Sequence, residues 1–311
     1  MTERQKQFEA ALSEFPEPVQ KILQTIPRQA GRLFFPQCTE LIEHLGIDAE
    51  ELMTRLLPLA KIYATVPVSG FQVGAVAMTA SRRNDDRFDL FMGANLEFKH
   101  QSLNQTIHAE QSAALHAWHQ DTQYLKAIAT SETPCGHCRQ FLYEFEKNAD
   151  LMVITPDGKK QTYRKTALAD LLPEAFGPLD LGNYSGLMSS AAPRHKLRLQ
   201  AAAKDRTVAQ ALSAAQKSYA PYTQNYAGCA LQTQTGEIFS GRYAESAAFN
   251  PSLAPLQSAI VCMHMTNFEQ QPSIERVVLV EKPTAVSQRR ITEQLLESWA
   301  PGVALEYFEI K

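Results

Sequence analysis

The chain has 311 residues with 30 Lys+Arg against 33 Asp+Glu, a formal net charge of −3. That balance gives no field to gather a polyanion, and a nucleic-acid partner, which calls for a basic stripe, is not expected. The length suggests about two domains.

The polar start, Met1-Thr2-Glu3-Arg4-Gln5-Lys6-Gln7, has no apolar export segment, and no run is apolar for long enough to span a bilayer. The expectation is therefore a cytoplasmic protein without membrane contact. The cysteines are Cys38, Cys135, Cys138, Cys229 and Cys262. An odd, sparse set argues against a disulfide framework and points to metal or redox chemistry at the one close pair. The other three read as small buried hydrophobes.

In chain order, residues 1–47 show helical spacing broken at Pro16, Pro18, Pro27 and Pro36 and read as a small helical N-terminal segment. Asp48-Ala49-Glu50-Glu51 has the form of a capping box, and Leu52, Leu56, Leu59, Ile62 and Tyr63 then share one helical face. Residues 71–78 and 88–93 read as two strands of a hairpin. The loop between them, 79–87, holds Ser81-Arg82-Arg83-Asn84 running into Asp85-Asp86, which suits a solvated turn. An Ala-rich helix from 104 to about 119 carries His108 and Glu110 in its first turns. Residues 125–130 form an apolar strand, and Cys135 follows Pro134 at the start of a helix running through Phe141, Leu142 and Phe145. A strand at 151–154 and a short helix near 168–172 complete this half. Helix alternating with strand predicts an α/β sheet covered on both faces.

Beyond a Gly-, Ser- and Pro-containing linker at 181–195 the pattern repeats. Pro67-Val68-Ser69-Gly70-Phe71-Gln72-Val73-Gly74-Ala75 aligns with Pro221-Tyr222-Thr223-Gln224-Asn225-Tyr226-Ala227-Gly228-Cys229. Gly93-Ala94-Asn95-Leu96-Glu97 aligns with Gly241-Arg242-Tyr243-Ala244-Glu245. The same register sets Ala254-Pro255-Leu256-Gln257-Ser258-Ala259 opposite His108-Ala109-Glu110-Gln111-Ser112-Ala113, and no Cys-x-x-Cys follows Cys138. The sequence thus predicts a domain at 48–180 equipped for metal chemistry and a degenerate, non-catalytic copy at 196–311.

His108, Cys135 and Cys138 give the three nitrogen and sulfur ligands of a catalytic zinc site whose fourth position is left to water. Glu110, two residues past the histidine, is the proton carrier for that water. Helix-start amides, and Arg139, are expected to temper the thiolate charge. His100, His116, His119 and His137 lack a glutamate at this spacing and read as structural. The alternative from another class is a thiol–disulfide oxidoreductase built on Cys135-Gly136-His137-Cys138. It leaves His108 and Glu110 without a role, and Pro134 stands where that family usually has Trp.

A histidine, a glutamate two residues on and a later Pro-Cys-x-x-Cys resemble the signature of the zinc nucleobase deaminases. With Gly93 to Phe98, Thr133 to Phe141 and Ala244 to Pro251 added, the chain resembles the cytidine deaminase family, in its long homodimeric bacterial form. The resemblance implies a three-layer α/β/α cytidine-deaminase-like fold with a mixed sheet, present in two copies, and one Zn2+ per chain. It implies hydrolysis of cytidine and deoxycytidine to uridine and deoxyuridine in pyrimidine salvage, by attack of zinc-bound hydroxide at C4 with Glu110 as the shuttle. A deaminase of another amino-heterocycle is the neighbouring alternative.

By the same resemblance Asn95 and Glu97 hydrogen-bond the sugar 3′-hydroxyl, Phe71 stacks near the base, the Ala109 backbone meets it and Phe176 covers it. Ala248 and Phe249 reach into the partner subunit's site, so that a homodimer has shared active sites. Two positions depart from the family pattern: Glu132, where an aromatic residue is favoured, and Gln72, where Asn or Pro is common.

Overall fold

The structure, a computed structural model, describes residues 1–80, 87–122, 124–145, 150–158, 162–189, 194–200 and 205–311. The centre of the charged 79–87 loop and part of the 181–195 linker lie outside them.

The chain opens with helices α1 (Glu3–Leu12) and α2 (Glu17–Leu23), a two-residue strand β1 (Arg32–Leu33) and helices α3 (Phe35–Leu45) and α4 (Ala49–Lys61). The Thr2 hydroxyl accepts from Gln5 N at 3.2 Å and the Gln5 side chain accepts from Thr2 N at 2.6 Å, closing the start of α1. At α4 the Asp48 carboxylate accepts from Glu51 N at 2.7 Å, while the Glu51 carboxylate pairs forward with Arg55. Only half of the expected capping box therefore forms, because an i,i+4 arginine offers the glutamate a charged donor.

The first half continues with β2 (Gly74–Ala80), β3 (Phe88–Ala94), α5 (Ala109–His119), β4 (Leu125–Thr130), α6 (Gly136–Leu142), β5 (Met152–Pro156), β6 (Tyr163–Ala167) and α7 (Leu168–Leu171). Its sheet runs β1-β3-β2-β4-β5-β6, with β2 antiparallel to β3 and β4, and β4 parallel to β5. Strands β1 and β6 are additions to the expected set. A two-residue strand carries no alternation to read, and β6 is an edge strand with no buried residue and little apolar signal. Through β1 the N-terminal segment joins the sheet, and Arg4 fastens α1 to the body by donating to Thr65 Oγ1 at 2.9 Å and Phe268 O at 3.4 Å.

The second half holds α8 (Arg206–Gln216), β7 (Ala227–Thr233), β8 (Ile238–Arg242), α9 (Pro255–Thr266), β9 (Ile274–Glu281), α10 (Arg289–Trp299) and β10 (Leu305–Glu309). Its sheet order is β10-β9-β7-β8, with β7 antiparallel to β8 and β9, and β9 parallel to β10. That is the pairing of β5-β4-β2-β3 repeated, down to a register shift after Met78 in β2 and after Gln232 in β7.

Four glycines show how each sheet is sandwiched. Residues paired across antiparallel strands share a face, and successive residues alternate. Gly74 pairs with Ala94 while Gly93 pairs with Ala75, so the two glycines look to opposite faces. A Cβ on Gly74 would meet Lys61 N at 2.6 Å, on α4; one on Gly93 would meet Ala113 N at 2.1 Å, on α5. In the second half Gly228 stands the same way against Ala215 N on α8 at 2.3 Å, and Gly241 against Ala259 N on α9 at 2.1 Å. Each sheet is thus covered on both faces. The inner helices α5 and α9 pack on one another, so that one apolar core runs through both halves.

Gly93→Ala and Gly241→Ala should each lower stability by roughly 1–3 kcal/mol, because the added methyl meets helix backbone that cannot give way cheaply. Urea unfolding measures this; a neutral effect at either position contradicts the close approach.

Candidate active site

Two chain reversals converge at the C-terminal ends of β3 and β4. After β3, Leu96 forms an antiparallel bridge with Ile107: Leu96 N donates to Ile107 O at 2.9 Å and Ile107 N to Leu96 O at 3.0 Å. The bridge holds the chain extended up to His108, which is the N-cap of α5 and not, as expected, a residue of its first turns. Its amide is taken by Gln111 Oε1 at 3.0 Å. Glu110 follows in the first turn with 5% exposure. On the other side, β4 ends at Thr130, and Pro134 leads into Cys135, the N-cap of α6, with Cys138 one turn on.

His108 Nδ1 lies 3.5 Å from Cys135 Sγ and 3.3 Å from Cys138 Sγ, and the two sulfurs are 3.7 Å apart. A tetrahedral zinc with its usual bond lengths of ~2.3 Å to sulfur and ~2.0 Å to nitrogen sets S···S near ~3.8 Å and S···N near ~3.5 Å. The three atoms already stand at those separations, and among the described residues no fourth His, Cys, Asp or Glu joins them. Cys138 is buried and Cys135 exposed, so the cup opens on the Cys135 side. A redox pair has no need of an imidazole within reach of both sulfurs.

The charges interlock. Cys135 is brought down to about 3, first by its hydrogen bond with Cys138 and then by that with His108. Cys138 is pushed up by the same bond to Cys135 and by burial. His108 is raised, chiefly by its bond to Cys135. Burial lifts Glu110 above the ordinary carboxylate range. The opposite shifts mark the two sulfurs as one coupled pair, and a divalent cation held in the cup would favour the thiolate form of both.

Of the histidines read as structural, His116 and His119 bond elsewhere. His116 Nδ1 meets Met92 O at 3.0 Å and His119 Nδ1 meets Leu115 O at 2.8 Å, both away from the cup. His137 stacks on His108 with ring centroids 5.4 Å apart, and its Nε2 lies 3.2 Å from Gln111 Nε2. Arg139 donates to Pro134 O at 2.9 Å and Leu171 O at 2.8 Å, so its described contacts buckle the cysteine loop instead of meeting the thiolates.

The residues expected to bind substrate fall into three groups. Asn95 and Glu97 organise one loop: Asn95 donates to Phe71 O and accepts from Val73 N, both at 2.9 Å. Glu97 accepts from Val68 N at 2.9 Å, Ser69 N at 3.0 Å and Ser69 Oγ at 2.5 Å. Partial burial opposes ionisation of Glu97, and those bonds overcome it, holding the carboxyl below its ordinary value. These cross-links explain why β2 begins at Gly74, three residues later than the apolar pattern suggested, and why Phe71 is displayed with 57% exposure.

The second half repeats the staple. Glu245 accepts from Tyr222 N at 2.8 Å, Thr223 N at 3.2 Å and Thr223 Oγ1 at 2.5 Å, whereas Tyr243 replaces Asn95. Ser69, which the sequence reading passed over, is the hydroxyl partner of Glu97; Thr223 at the equivalent place is the signal that could have found it. Ala109 is buried beside His108, and Phe176, 50% exposed, is tied to α6 through Gln140 Nε2, which donates to its carbonyl at 2.8 Å. Ala248 and Phe249 lie on a turn of the second half whose Pro251 O meets Gln111 Nε2 at 3.4 Å, and Phe249 is 61% exposed.

Two family profiles, both described as the cytidine and deoxycytidylate deaminase zinc-binding region, match residues 46–154 and 168–293. A cytidine deaminase of Sodalis glossinidius (strain morsitans) is 44% identical over 265 residues, 82% of each chain. One of Aliivibrio fischeri (strain ATCC 700601 / ES114) is 39% identical over 310 residues, 99% of each chain. Among solved structures, a cytidine deaminase from Burkholderia pseudomallei matches with 30% identity and a TM-score of 0.34, over 40% of this chain and 97% of that one.

Metal analysis of the purified protein should find one zinc per chain, retained in Glu110→Ala and lost in His108→Ala, Cys135→Ala and Cys138→Ala. Because the ligands bind only when deprotonated, zinc should be released as pH falls. Full zinc in Cys138→Ala contradicts the cup.

Proposed function

The chain belongs to the cytidine deaminase family, whose members are zinc-dependent hydrolases, and on that premise we propose that it converts cytidine and deoxycytidine to uridine and deoxyuridine with release of ammonia, in cytoplasmic pyrimidine salvage. The observation that carries the proposal is the three-atom cup of His108, Cys135 and Cys138 with buried Glu110 beside it.

Zinc, when bound, supplies the Lewis acid that makes a water a nucleophile near neutral pH. Glu110 takes one proton of the water and delivers it to ring N3 as the oxygen bonds to C4; it then takes the second proton from that oxygen and passes it to the amino nitrogen, the C4–N bond breaks as C4=O forms, and ammonia leaves. Burial that favours the protonated carboxyl suits a group that must hold a proton between two deliveries.

Asn95 and Glu97 take the sugar 3′-hydroxyl, Phe71 and Phe176 flank the base, and the Ala109 backbone meets its edge. A carboxylate that only accepts hydrogen bonds fits a free hydroxyl and repels a phosphate. Residues 48–180 are the working domain and 196–311 the degenerate copy, with 1–47 as a brace and 181–195 as the connection. The degenerate copy keeps a purpose in a homodimer with shared sites, where Ala248 and Phe249 enter the partner's pocket. In support, Phe71, Phe176 and Phe249 are all exposed in the single chain, where their faces cover little.

Ammonia release from cytidine should fall by about 10²–10⁴-fold in Glu110→Ala with zinc retained. Unimpaired turnover in that variant removes the shuttle. Deoxycytidine 3′-phosphate should be processed at least ~10-fold less efficiently than deoxycytidine, since like charges meet at Glu97; equal efficiency removes the sugar assignment.

A further inference from the structure

Glu144 is a carboxylate with no exposed surface that the chemistry above does not use. It lies just past α6, where its amide donates to Phe141 O at 3.1 Å and its carbonyl accepts from Leu187 N at 2.7 Å. Its side chain crosses to the second half. Oε1 accepts from the Tyr219 hydroxyl at 2.6 Å and from the Tyr222 hydroxyl, and Oε2 accepts from Ala247 N at 2.8 Å. Asn183 donates in turn to the Tyr219 hydroxyl. Burying a carboxylate is costly unless donors surround it, and three donors from the other half do so here.

Those donors flank one feature. Ala247 begins the turn that carries Ala248 and Phe249, a turn closed on itself by Phe249 N to Ser246 O and Ser252 N to Phe249 O, each at 2.9 Å. Phe249 is held at φ 60°, a left-handed conformation that a bulky residue adopts only when its surroundings impose it. The turn meets the first half at the Ala247–Glu144 bond and at the Pro251–Gln111 contact.

We propose that Glu144 is a positioning residue that fixes the Ala248–Phe249 turn against α5 and α6, whose N-terminal ends carry His108, Cys135 and Cys138, and so sets how far each chain reaches into the pocket of a second copy. The inference rests on the shared-site homodimer proposed above. Only a carboxylate presents acceptors alone to three donors; a glutamine sets an NH2 group against one of them at unchanged volume.

The test is cis–trans kinetics on differently tagged, purified dimers. In one hybrid, a Glu110→Ala chain is paired with a Glu144→Gln chain, so the single working site belongs to the Glu144→Gln chain and receives the intact turn of its partner. In the other, a chain carrying both Glu110→Ala and Glu144→Gln is paired with wild type, so the working site receives the altered turn. The expected result is a normal KM for cytidine in the first hybrid and a KM about tenfold higher in the second, with kcat per working site within about threefold of wild type in both. A raised KM in the first hybrid, or an unchanged KM in both, overturns the assignment. An active monomer also overturns it, and identifies the fault as the shared-site reading. If Glu144→Gln gives no folded dimer, Tyr222→Phe, which removes one donor and leaves the Ala247 bond, takes its place in both hybrids: a KM raised only in the second supports the assignment, and any other pattern overturns it.

Discussion

Three donor atoms from two separate chain reversals must stand 3.3–3.7 Å apart, and the rest of the first half is arranged to hold them there. Each reversal ends in a helix N-cap, where unpaired amides make the environment positive and favour thiolate over thiol. The distance between the caps is set further back. Gly93 lets α5 lie against β3 at a separation no side chain would permit, and the Leu96–Ile107 bridge delivers His108 in extended form. Arg139 fastens the opposite reversal through two carbonyls. Backbone fixes the cup, so the ligands themselves need little freedom.

The duplication separates what the fold requires from what chemistry requires. Glycines facing the helices, the glutamate staple and the capping glutamine persist in both halves, and the glutamines even reach across in reciprocal fashion. Gln111 Nε2 meets Pro251 O at 3.4 Å, and Gln257 Nε2 meets Gln105 O at 2.7 Å. Ala254 and Leu256, in place of His108 and Glu110, remove the ligand and the acid and leave the packing. Glu97 therefore does structural work first, since Glu245 performs the same work where the ligands are missing, while Asn95 has no such counterpart.

Much of this was legible in the chain. The Cys-x-x-Cys, the histidine with its glutamate and the internal repeat identified the cup and both halves, because each is a local pattern. Strand β4 was read at its observed bounds for the same reason. What escaped depends on contacts distant in sequence or too small to leave a period. His108 is a cap instead of a helical residue because of a bridge to Leu96. The 181–195 connection is not free along its length: Leu187 is buried, and Asn183 bonds Tyr219. Glu144 had no signal at all, since its partner amide is 103 residues away.

X-ray absorption at the zinc edge of the purified protein tests the central claim most directly. The account predicts one zinc per chain with two sulfurs at ~2.3 Å and two lighter atoms at ~2.0–2.2 Å, one of which a small added thiol replaces to raise the sulfur count to three. Absence of zinc, a different starting sulfur count, or a coordination sphere that no added ligand can enter would contradict it.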